Sequence, residues 1–322
     1  MKKTLLLIMM LGCVQTWASN PVSIIISDGI DNAGTEAKME QAMSRLFTEA
    51  GTAYETHRNM DYKNLPTTIT EGAKEDLSML WENSRFVCWE DKVVQHCLTT
   101  GTGYQVRNIP LELVDADEDD KYHEAVINFD REGNMTGFNL AISNNLYMDI
   151  IKANLELTDL RRRQLILDWT ERFRSAYNKK DIAFLRAVFS NDALIITGRV
   201  TERKTRDGIP LPPKVELIEK NKEQYLKDLA VVFNSNKYIN VTFDSLEVKM
   251  HRNDSDVYGV TLHQGYTSDR YHDDGYLFLL WDFRDETRPQ IHVRAWQPDS
   301  FVDKNGNRIP VKKIEIDPTD FD

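Results

Sequence analysis

The stretch from Trp169 to Ile195, WTERFRSAYNKKDIAFLRAVFSNDALI, sets out a helix, a second helix and a strand in that order. Trp169, Phe173 and Tyr177 recur at every fourth position, which is the spacing of one face of a helix. Asp181 is a residue type that favours a helix start, so a short second helix is expected after it. The closing Ala-Leu-Ile run is typical of a strand.

Both halves of the chain repeat this order of helices followed by strands. In the N-terminal half, the hydrophobic pattern predicts helices over 36–54 and 71–81, strands over 86–98, 104–114, 123–129 and 137–142, and a hairpin turn over 130–134. In the C-terminal half, it predicts a further helix over about 215–233 and strands over 238–251, 256–266, 275–283 and 290–297. Such serial order indicates the α+β class. The halves are either diverged copies of one unit or two unrelated domains.

The quoted stretch resembles the opening of the nuclear transport factor 2-like superfamily, also called ketosteroid-isomerase-like or SnoaL-like. The resemblance lies in the long helix, the polar turn with Asp181, the short helix, and the Phe189-Ser-Asn-Asp192-Ala193 entry into the first strand. With the later helix and strands included, it extends over 157–298. The chain also resembles exported two-domain proteins of Bacteroidetes type, which imply no particular activity.

The resemblance implies a cone, in which a curved antiparallel sheet wraps against helices and leaves a pocket at its mouth. We therefore expect two domains, each with helices packed on a curved antiparallel sheet, and the second a nuclear-transport-factor-2-like cone. The expected segments are a signal peptide over 1–18, an N-terminal α+β domain over 19–152, the cone domain over 153–298, and a C-terminal hairpin and acidic tail over 299–322.

In the isomerases of this superfamily, a Tyr on the first helix donates to an oxyanion and an Asp at the end of the first strand acts as the general base. Matched to the motif, these positions fall on Phe173 and Thr197. Phenylalanine has no hydroxyl to donate, and threonine does not accept a proton near neutral pH. The resemblance therefore argues against the isomerase reaction, while other chemistry on the same fold stays open.

A ligand site is expected on the strands that line the cone. Alternation along the last strand places His292, Arg294 and Trp296 on one face, and His263 and Tyr266 lie on another strand. A His, an Arg and a Trp together suit an anionic or aromatic ligand. The alternative is a solvated or interdomain face.

The strand Tyr276-Leu-Phe-Leu-Leu-Trp281-Asp-Phe283 is apolar on both faces. One face is expected to pack on the helices of its own domain. The other is expected to be covered by the first domain or by a second chain, which makes a homodimer through a sheet face possible.

The N-terminus reads as a leader. Lys2 and Lys3 precede an apolar run over 5–11 and the small-residue exit Thr16-Trp17-Ala18, so cleavage after Ala18 and export to the periplasm or the exterior are expected. A rival interpretation uses Cys13 as the lipid anchor of an envelope lipoprotein.

Cys88 and Cys97 remain once the leader is removed. The segments 86–89 and 93–97 could fold as two short strands around Glu90-Asp91-Lys92 and bring the two thiols together as a disulfide. The alternative is two small buried thiols.

Composition excludes several classes. The chain has 322 residues, 41% hydrophobic and 28% charged, with a formal net charge of −11, so nucleic acid is not an expected partner. Asp115–Asp120 lacks the sixth-position glycine and the distal Glu of an EF-hand loop. The sequence has no phosphate loop, nucleophile elbow or zinc motif, so neither a cofactor nor a metal is expected.

The leading hypothesis is an exported, non-catalytic protein that binds a small molecule or a partner protein through the cone pocket or a sheet face. One alternative is an enzyme of the isomerase, dehydratase or hydrolase type in the same pocket. Another is a structural component of the cell envelope. The filling of the cone discriminates between them, because in a structural protein Trp169 and Phe173 would occupy it.

Overall fold

The computed structural model describes residues 21–142, 157–204, 210–303 and 306–321. The predicted leader over 1–18, including Cys13, and the predicted domain boundary near residue 152 lie outside the described residues. Of the helices it describes, none is long and apolar enough to span a membrane.

The N-terminal unit, residues 21–142, contains two helices and seven strands. They are β1 Ser23–Ile26, α1 Ala33–Glu55, α2 Glu71–Asn83, β2 Phe86–Val87, β3 Lys92–Gln95, β4 Cys97–Thr99, β5 Gly103–Leu113, β6 Tyr122–Asp130 and β7 Met135–Leu140. Both predicted helices are present. Each begins at a polar cap, because the side chains of Asn32 and Thr70 accept hydrogen bonds from backbone amides of the first turn.

Strands β2, β5, β6 and β7 form the main sheet in that order, and β4 also pairs with β5. The predicted turn over 130–134 is confirmed, since β6 and β7 pair antiparallel across it. Asp130 closes this turn by accepting from the backbone amides of Glu132 at 3.0 Å and Asn134 at 2.8 Å. Gly133 has φ +77°, a conformation that favours glycine.

The predicted hairpin around Glu90-Asp91-Lys92 is wrong, and Cys88 and Cys97 are free buried thiols. Strand β3 instead pairs in parallel with β1, a strand that the hydrophobic pattern did not indicate. Strands β2 and β4 lie along the same β5, where Val87 is opposite Glu112 and Cys97 is opposite Val106. At roughly 3.4 Å per residue, several residues of β5 separate the two cysteines by far more than the ~7 Å between Cα atoms that a disulfide spans.

The C-terminal unit, residues 157–321, contains three helices and eight strands among the residues described. They are α3 Leu157–Asn178, α4 Ile182–Val188, β8 Phe189–Lys204, β9 Pro210–Asn221, α5 Lys222–Ser235, β10 Ile239–Met250, β11 Val257–Ser268, β12 His272–Asp282, β13 Gln290–Pro298, β14 Ser300–Val302 and β15 Arg308–Pro310. As predicted, Asp181 caps α4 by accepting from the amide of Phe184 at 2.8 Å.

Six of these strands form one curved sheet in the order β10-β11-β12-β13-β8-β9. All neighbours are antiparallel except β13 and β8, which are parallel. The helices pack on the inner face, with the core residues Phe173, Leu185 and Trp281 fully buried. The chain is thus α+β, with helices on curved antiparallel sheets. The two main sheets differ in strand number, and descent from one duplicated unit stays a hypothesis.

The predicted helix over 215–233 begins too early, because residues up to Asn221 belong to β9. Asn221 starts α5 through a capping box, in which its side chain accepts from the Gln224 amide and the Gln224 side chain accepts from the Asn221 amide. Apolar spacing alone does not distinguish a strand that leads into a helix from the first turns of that helix.

The outer face of β12 is covered by the chain's own C-terminal segment, whereas the first domain or a second chain was expected there. Phe278 and Leu280 of this face form a small core with Val293 and Ala295, and Ile316 and Phe321 pack against it. The Phe321 ring stacks on Phe278 at a centroid distance of 5.9 Å. The predicted hairpin before this segment is present, since β14 and β15 pair antiparallel.

Candidate functional site

The inside of the cone is occupied by aromatic side chains. Phe173 is 0% exposed, and its ring centroid lies 5.2 Å from Tyr177, 5.9 Å from Phe189 and 6.4 Å from both Phe243 and Trp281. At this position the resemblance would place the oxyanion-donating tyrosine. The deep part of the cone is therefore packed like a protein core.

Thr197 lies on β8, where it faces Trp296 of β13 in the parallel pair. Its hydroxyl donates to the backbone oxygen of Ile218 at 3.5 Å. Neither Thr197 nor Phe173 provides a group that exchanges protons near neutral pH, so the two isomerase positions hold no acid or base.

Three of the predicted ligand residues lie on the side of the curved sheet that faces the helices: Tyr266, Arg294 and Trp296. Tyr266 and Trp296 pack against the inner core, and Tyr266 lies opposite Asp273 in the pair β11–β12. Arg294 is 6% exposed, and its guanidinium carbon lies 5.2 Å from the centroid of the Tyr225 ring. Tyr266 and Arg294 form a polar cluster with Asp273, whose charge interacts with both of them.

Burial dominates the electrostatics of this cluster. It raises the pKa of the Asp273 carboxyl, and it raises the pKa of Tyr266 to about 12, with the Asp273 charge adding to the shift. Arg294 Nε and Trp296 Nε1 are buried and have no hydrogen-bond partner among the described residues. Because these atoms are closed off from solvent, a ligand would reach them only if the mouth opened.

His292 and His263 do not join this cluster, which corrects the sequence prediction. The pairing of β12 and β13 shifts register between Leu280 and Trp281, and this bulge breaks the alternation that placed His292 beside Arg294. His292 Nε2 instead lies 3.4 Å from Asp282 Oδ2.

His263 projects from β11 towards two carboxylates, with Nδ1 3.3 Å from Asp244 Oδ2 and Nε2 3.2 Å from Asp299 Oδ2. Burial alone would lower the pKa of His263, but the two carboxylates outweigh it and raise the pKa. His263 is thus held in an ion-pair network away from the cone mouth.

A row of buried polar side chains on α3 faces the N-terminal unit. These residues recur at helical spacing and are Glu171, Arg174, Ser175 and Lys179. Lys179 Nζ, for example, donates to the backbone oxygen of Phe138 at 2.7 Å and lies 3.1 Å from Asp76 Oδ1. A polar stripe on a helix usually marks its solvated face, so sequence reasoning missed this contact between the units.

The centre of this contact is a buried ion pair. Arg107 of β5 donates from Nη1 to Glu171 Oε2 at 2.8 Å and from Nη2 to Glu171 Oε1 at 2.5 Å, and the side chains are 5% and 1% exposed. Glu171 Oε1 also accepts from the backbone amide of Ile142 at 2.9 Å. The pair therefore joins a strand, a helix and the end of the first unit.

Beside it, Arg174 joins both units through its guanidinium group. Nε donates to the backbone oxygen of Val241 at 2.6 Å, Nη1 donates to that of Ala141, and Nη2 lies 3.0 Å from His123 Nδ1. His123 Nε2 lies 2.8 Å from the Asp120 backbone oxygen, so Nε2 carries the proton and Nδ1 accepts. Burial, followed by the Arg174 charge, lowers the pKa of His123 to about 3, and the imidazole is neutral.

Above Arg174 and His123 opens a cleft of about 680 Å³ between the units. Its lining residues come from both units and are Val87, Trp89, Glu90, Pro110, Leu111, Glu112, Asp120, Tyr122, His123, Glu124, Ala141, Ile142, Arg174, Thr242 and Phe243. Two of them are large aromatic side chains open to solvent, Trp89 at 53% and Tyr122 at 77% exposed. The volume and the mixed lining are typical of a small-molecule site.

Glu124 is a half-buried carboxylate in this lining. Its backbone oxygen accepts from the Ala141 amide at 2.8 Å, but its carboxylate makes no hydrogen bond to a described residue. Burial raises the pKa of Glu124, the Arg107 charge opposes the shift, and the Glu171 charge adds to it. Neither Glu124 nor His123 stood out in the sequence, because no motif or spacing connects them with the other residues of the cleft, which come from separate parts of the chain.

Two smaller cavities lie along α3, with volumes of about 360 Å³ and 260 Å³. They share Asn128, Thr136 and Arg172 in their linings. The charges within them are paired, since Arg172 Nε lies 3.0 Å from Asp168 Oδ2 and Lys179 lies against Asp76. These cavities offer less open aromatic surface than the cleft.

The chain is similar in structure to nuclear-transport-factor-2-like proteins, which are among its structural neighbours. One is a nuclear-transport-factor-2-like protein from Cytophaga hutchinsonii, 14% identical over 42% of this chain and 98% of that chain, with a TM-score of 0.31. Another, from Streptomyces avermitilis, is described as a dehydratase and is 11% identical over 42% and 94% of the two chains, with a TM-score of 0.31.

The Bdellovibrio bacteriovorus protein Bd1075 is 14% identical over 62% of this chain and 77% of its own, with a TM-score of 0.34. No protein-family model and no curated protein matches the chain.

Proposed function

We propose that this chain is a non-catalytic binding protein that holds a small organic molecule in the cleft between its two units. The observation that carries the proposal is the cleft itself, about 680 Å³ in volume, with apolar walls, two exposed aromatic rings and a few polar groups. Concave sites of this kind between domains are the usual location of small ligands. The filled cone interior favours the cleft over the cone pocket as the binding site.

Hydrogen bonds and a buried ion pair fix the residues at the floor of the cleft. Arg174 bonds to backbone oxygens of Ala141 and Val241, one from each unit, and the Arg107–Glu171 pair lies behind it. A ligand therefore meets a site that is already formed, which limits the entropy lost on binding.

A second candidate is an enzyme that works in the same cleft. It is favoured by Glu124, because a half-buried carboxylate with a raised pKa can act as a general base. Glu124→Gln separates the two candidates, since it would abolish turnover in an enzyme, whereas in a binding protein it changes affinity only.

We also propose that the protein is exported. The leader pattern of Lys2 and Lys3, the apolar run and the exit at Ala18 supports this. Cell fractionation with mass spectrometry of the N-terminus tests it. A chain that starts at Ser19 supports simple cleavage, one that starts at a diacylated Cys13 supports lipid anchoring, and an intact Met1 in the cytoplasm contradicts export.

Binding in the cleft is tested by saturation-transfer NMR with a fragment library balanced in cations, anions and neutral compounds. Trp89→Ala and Tyr122→Ala remove exposed rings of the cleft, so both variants should fold. Tyr271→Ala is the matched control, because Tyr271 is 58% exposed but lies near the cone mouth.

We expect fragments whose affinity falls about tenfold in the two cleft variants, which is ~1.4 kcal/mol, and stays unchanged in the control. Fragments that depend on Tyr271 instead would return the site to the cone mouth. A library without any cleft-dependent fragment would reject the proposal.

A further inference from the structure

We infer that the cleft selects an organic cation, a small molecule that carries an ammonium or guanidinium group beside an apolar or aromatic body. This inference rests on the proposed function and adds the chemical class of the ligand. Three observations carry it: the aromatic rim, the charges that line the cleft and the state of Glu124.

The aromatic rim is held in place for stacking. Trp89 donates from Nε1 to Glu112 Oε2 at 2.8 Å, and its ring meets Tyr54 edge-on at a centroid distance of 5.8 Å. These contacts fix the indole while half of it stays open to solvent. A cation over a Trp or Tyr face is attracted by the ring quadrupole, by about 0.5–2 kcal/mol depending on desolvation.

The charges of the cleft are unequal. Four of its described lining residues are carboxylates, Glu90, Glu112, Asp120 and Glu124, and the permanent cation in the same lining is Arg174. A cleft with apolar walls concentrates such a field, so a cation is drawn in and an anion is repelled.

Arg174 is the positive charge that could attract an anion into the cleft, but its N–H groups are already used within the protein. Three of its N–H groups are already directed at the backbone oxygens of Val241 and Ala141 and at His123 Nδ1. His123 adds no positive charge, because its imidazole is neutral and Nδ1 accepts from Arg174. The floor thus contributes structure more than attraction for anions.

Glu124 is the carboxylate with the most to gain from a bound cation. Glu112 already accepts from the Trp89 indole, whereas the half-buried carboxylate of Glu124 has no hydrogen bond to a described residue. The nearby Arg107 directs its guanidinium at both Glu171 oxygens. A carboxylate in this state is stabilised when an ammonium or guanidinium group approaches it.

The test compares three probes of one shape by titration calorimetry: phenethylamine, 2-phenylethanol and phenylacetate, which are a cation, a neutral molecule and an anion. We expect the amine to bind at least about tenfold more tightly than the alcohol and the acid not to bind measurably. We expect the amine's affinity to weaken as salt is added, since part of the attraction is long-range.

Glu124→Gln should weaken the amine about five- to tenfold and leave the alcohol unchanged. Glu75→Gln is the matched control, because it removes the same charge from an exposed site on α2 outside the lining. The peptide Gly-Lys-Gly, titrated in parallel with the amine, shows whether the cleft prefers a lysine side chain or a free amine. Tighter binding of the peptide would reject a small molecule as the source of the cation.

The outcomes separate this inference from the proposed function. One outcome is that the alcohol or the acid binds as tightly as the amine and loses affinity in Trp89→Ala. This outcome would overturn the proposal that the ligand is a cation, but the cleft would remain a binding site. Amine binding that Trp89→Ala and Glu124→Gln leave unchanged would be attraction to the acidic surface and would also overturn it. If no probe and no library fragment depends on the cleft, both proposals fail.

Discussion

Replacing Glu171 by glutamine should lower the free energy of unfolding by about 3–5 kcal/mol, because it leaves the Arg107 charge buried without its partner. Glutamine keeps the shape of glutamate. It also keeps one oxygen that can accept the hydrogen bond from the Ile142 amide, which Glu171 Oε1 accepts at 2.9 Å. It replaces the other oxygen with an NH2 group, which is a donor that faces the Arg107 guanidinium. The perturbation is therefore electrostatic, with little change in volume.

The magnitude follows from burial and geometry. Arg107 and Glu171 are 5% and 1% exposed and share two hydrogen bonds, so water cannot replace the lost partner. Arg186 and Glu223 form the matched exposed pair, with side chains 49% and 70% exposed. Glu223→Gln is the same substitution opposite the same partner type, and it should leave the urea midpoint nearly unchanged.

Urea unfolding followed by tryptophan fluorescence and circular dichroism measures both variants. Arg107→Met in the Glu171→Gln background removes the stranded charge, so the double variant should be more stable than Glu171→Gln alone. A loss below about 1 kcal/mol in Glu171→Gln, or a double variant that is simply the sum of the singles, would refute the assignment of this pair to a dry interface between the units.

Three further predictions concern His123, the thiols and the C-terminal segment. Burial and Arg174 lower the pKa of His123 from 6.5 to about 3, so between these pH values the unfolded chain binds more protons than the folded chain. The free energy of unfolding should therefore fall as the pH drops from about 6.5 towards 3, and His123→Gln should flatten the pH dependence of the urea midpoint. An unchanged slope in His123→Gln would contradict the buried neutral imidazole. Burial raises the pKa of Cys97 to about 11 and also raises that of Cys88, so both thiols should resist alkylation at pH 8 until the chain unfolds; a mass-spectrometric cross-link between them would disprove the free thiols. Phe321→Ala uncovers Phe278 and should cost about 1–2 kcal/mol, while Val302→Ala at a 69% exposed site should be close to neutral; equal thermal shifts for the two would reject the covering role of the C-terminal segment.

Local signals in the sequence were sufficient for most elements of the fold. Asp181 and the aromatic spacing on α3 predicted both helices of the quoted stretch, because capping and periodicity act over one or two turns. The turn at 130–134 was equally local, since Asp130 and Gly133 close it by themselves. The four last strands of the cone were placed within a few residues of their observed ends.

The candidate site was harder to predict from the sequence than the fold. Tyr266, Arg294 and Trp296 lie on the same side of the sheet, since strand alternation holds where pairing is regular. His292 was misplaced because a bulge adds one residue to one strand, and no local pattern announces it. The cleft was missed because its residues come from separate parts of the chain, from Val87 to Phe243.

The sequence by itself determined which segments become helices and strands, because hydrophobic spacing, caps and turn residues act between near neighbours. It also determined that Phe173 and Thr197 provide no isomerase chemistry. Only the tertiary structure decided which face meets which: that the polar stripe with Glu171 and Arg174 lies between the units, that Phe321 covers the outer sheet, and that a cleft stays open above His123. The physical reason is that burial of a polar group depends on partners distant in the chain, and no local pattern encodes those partners.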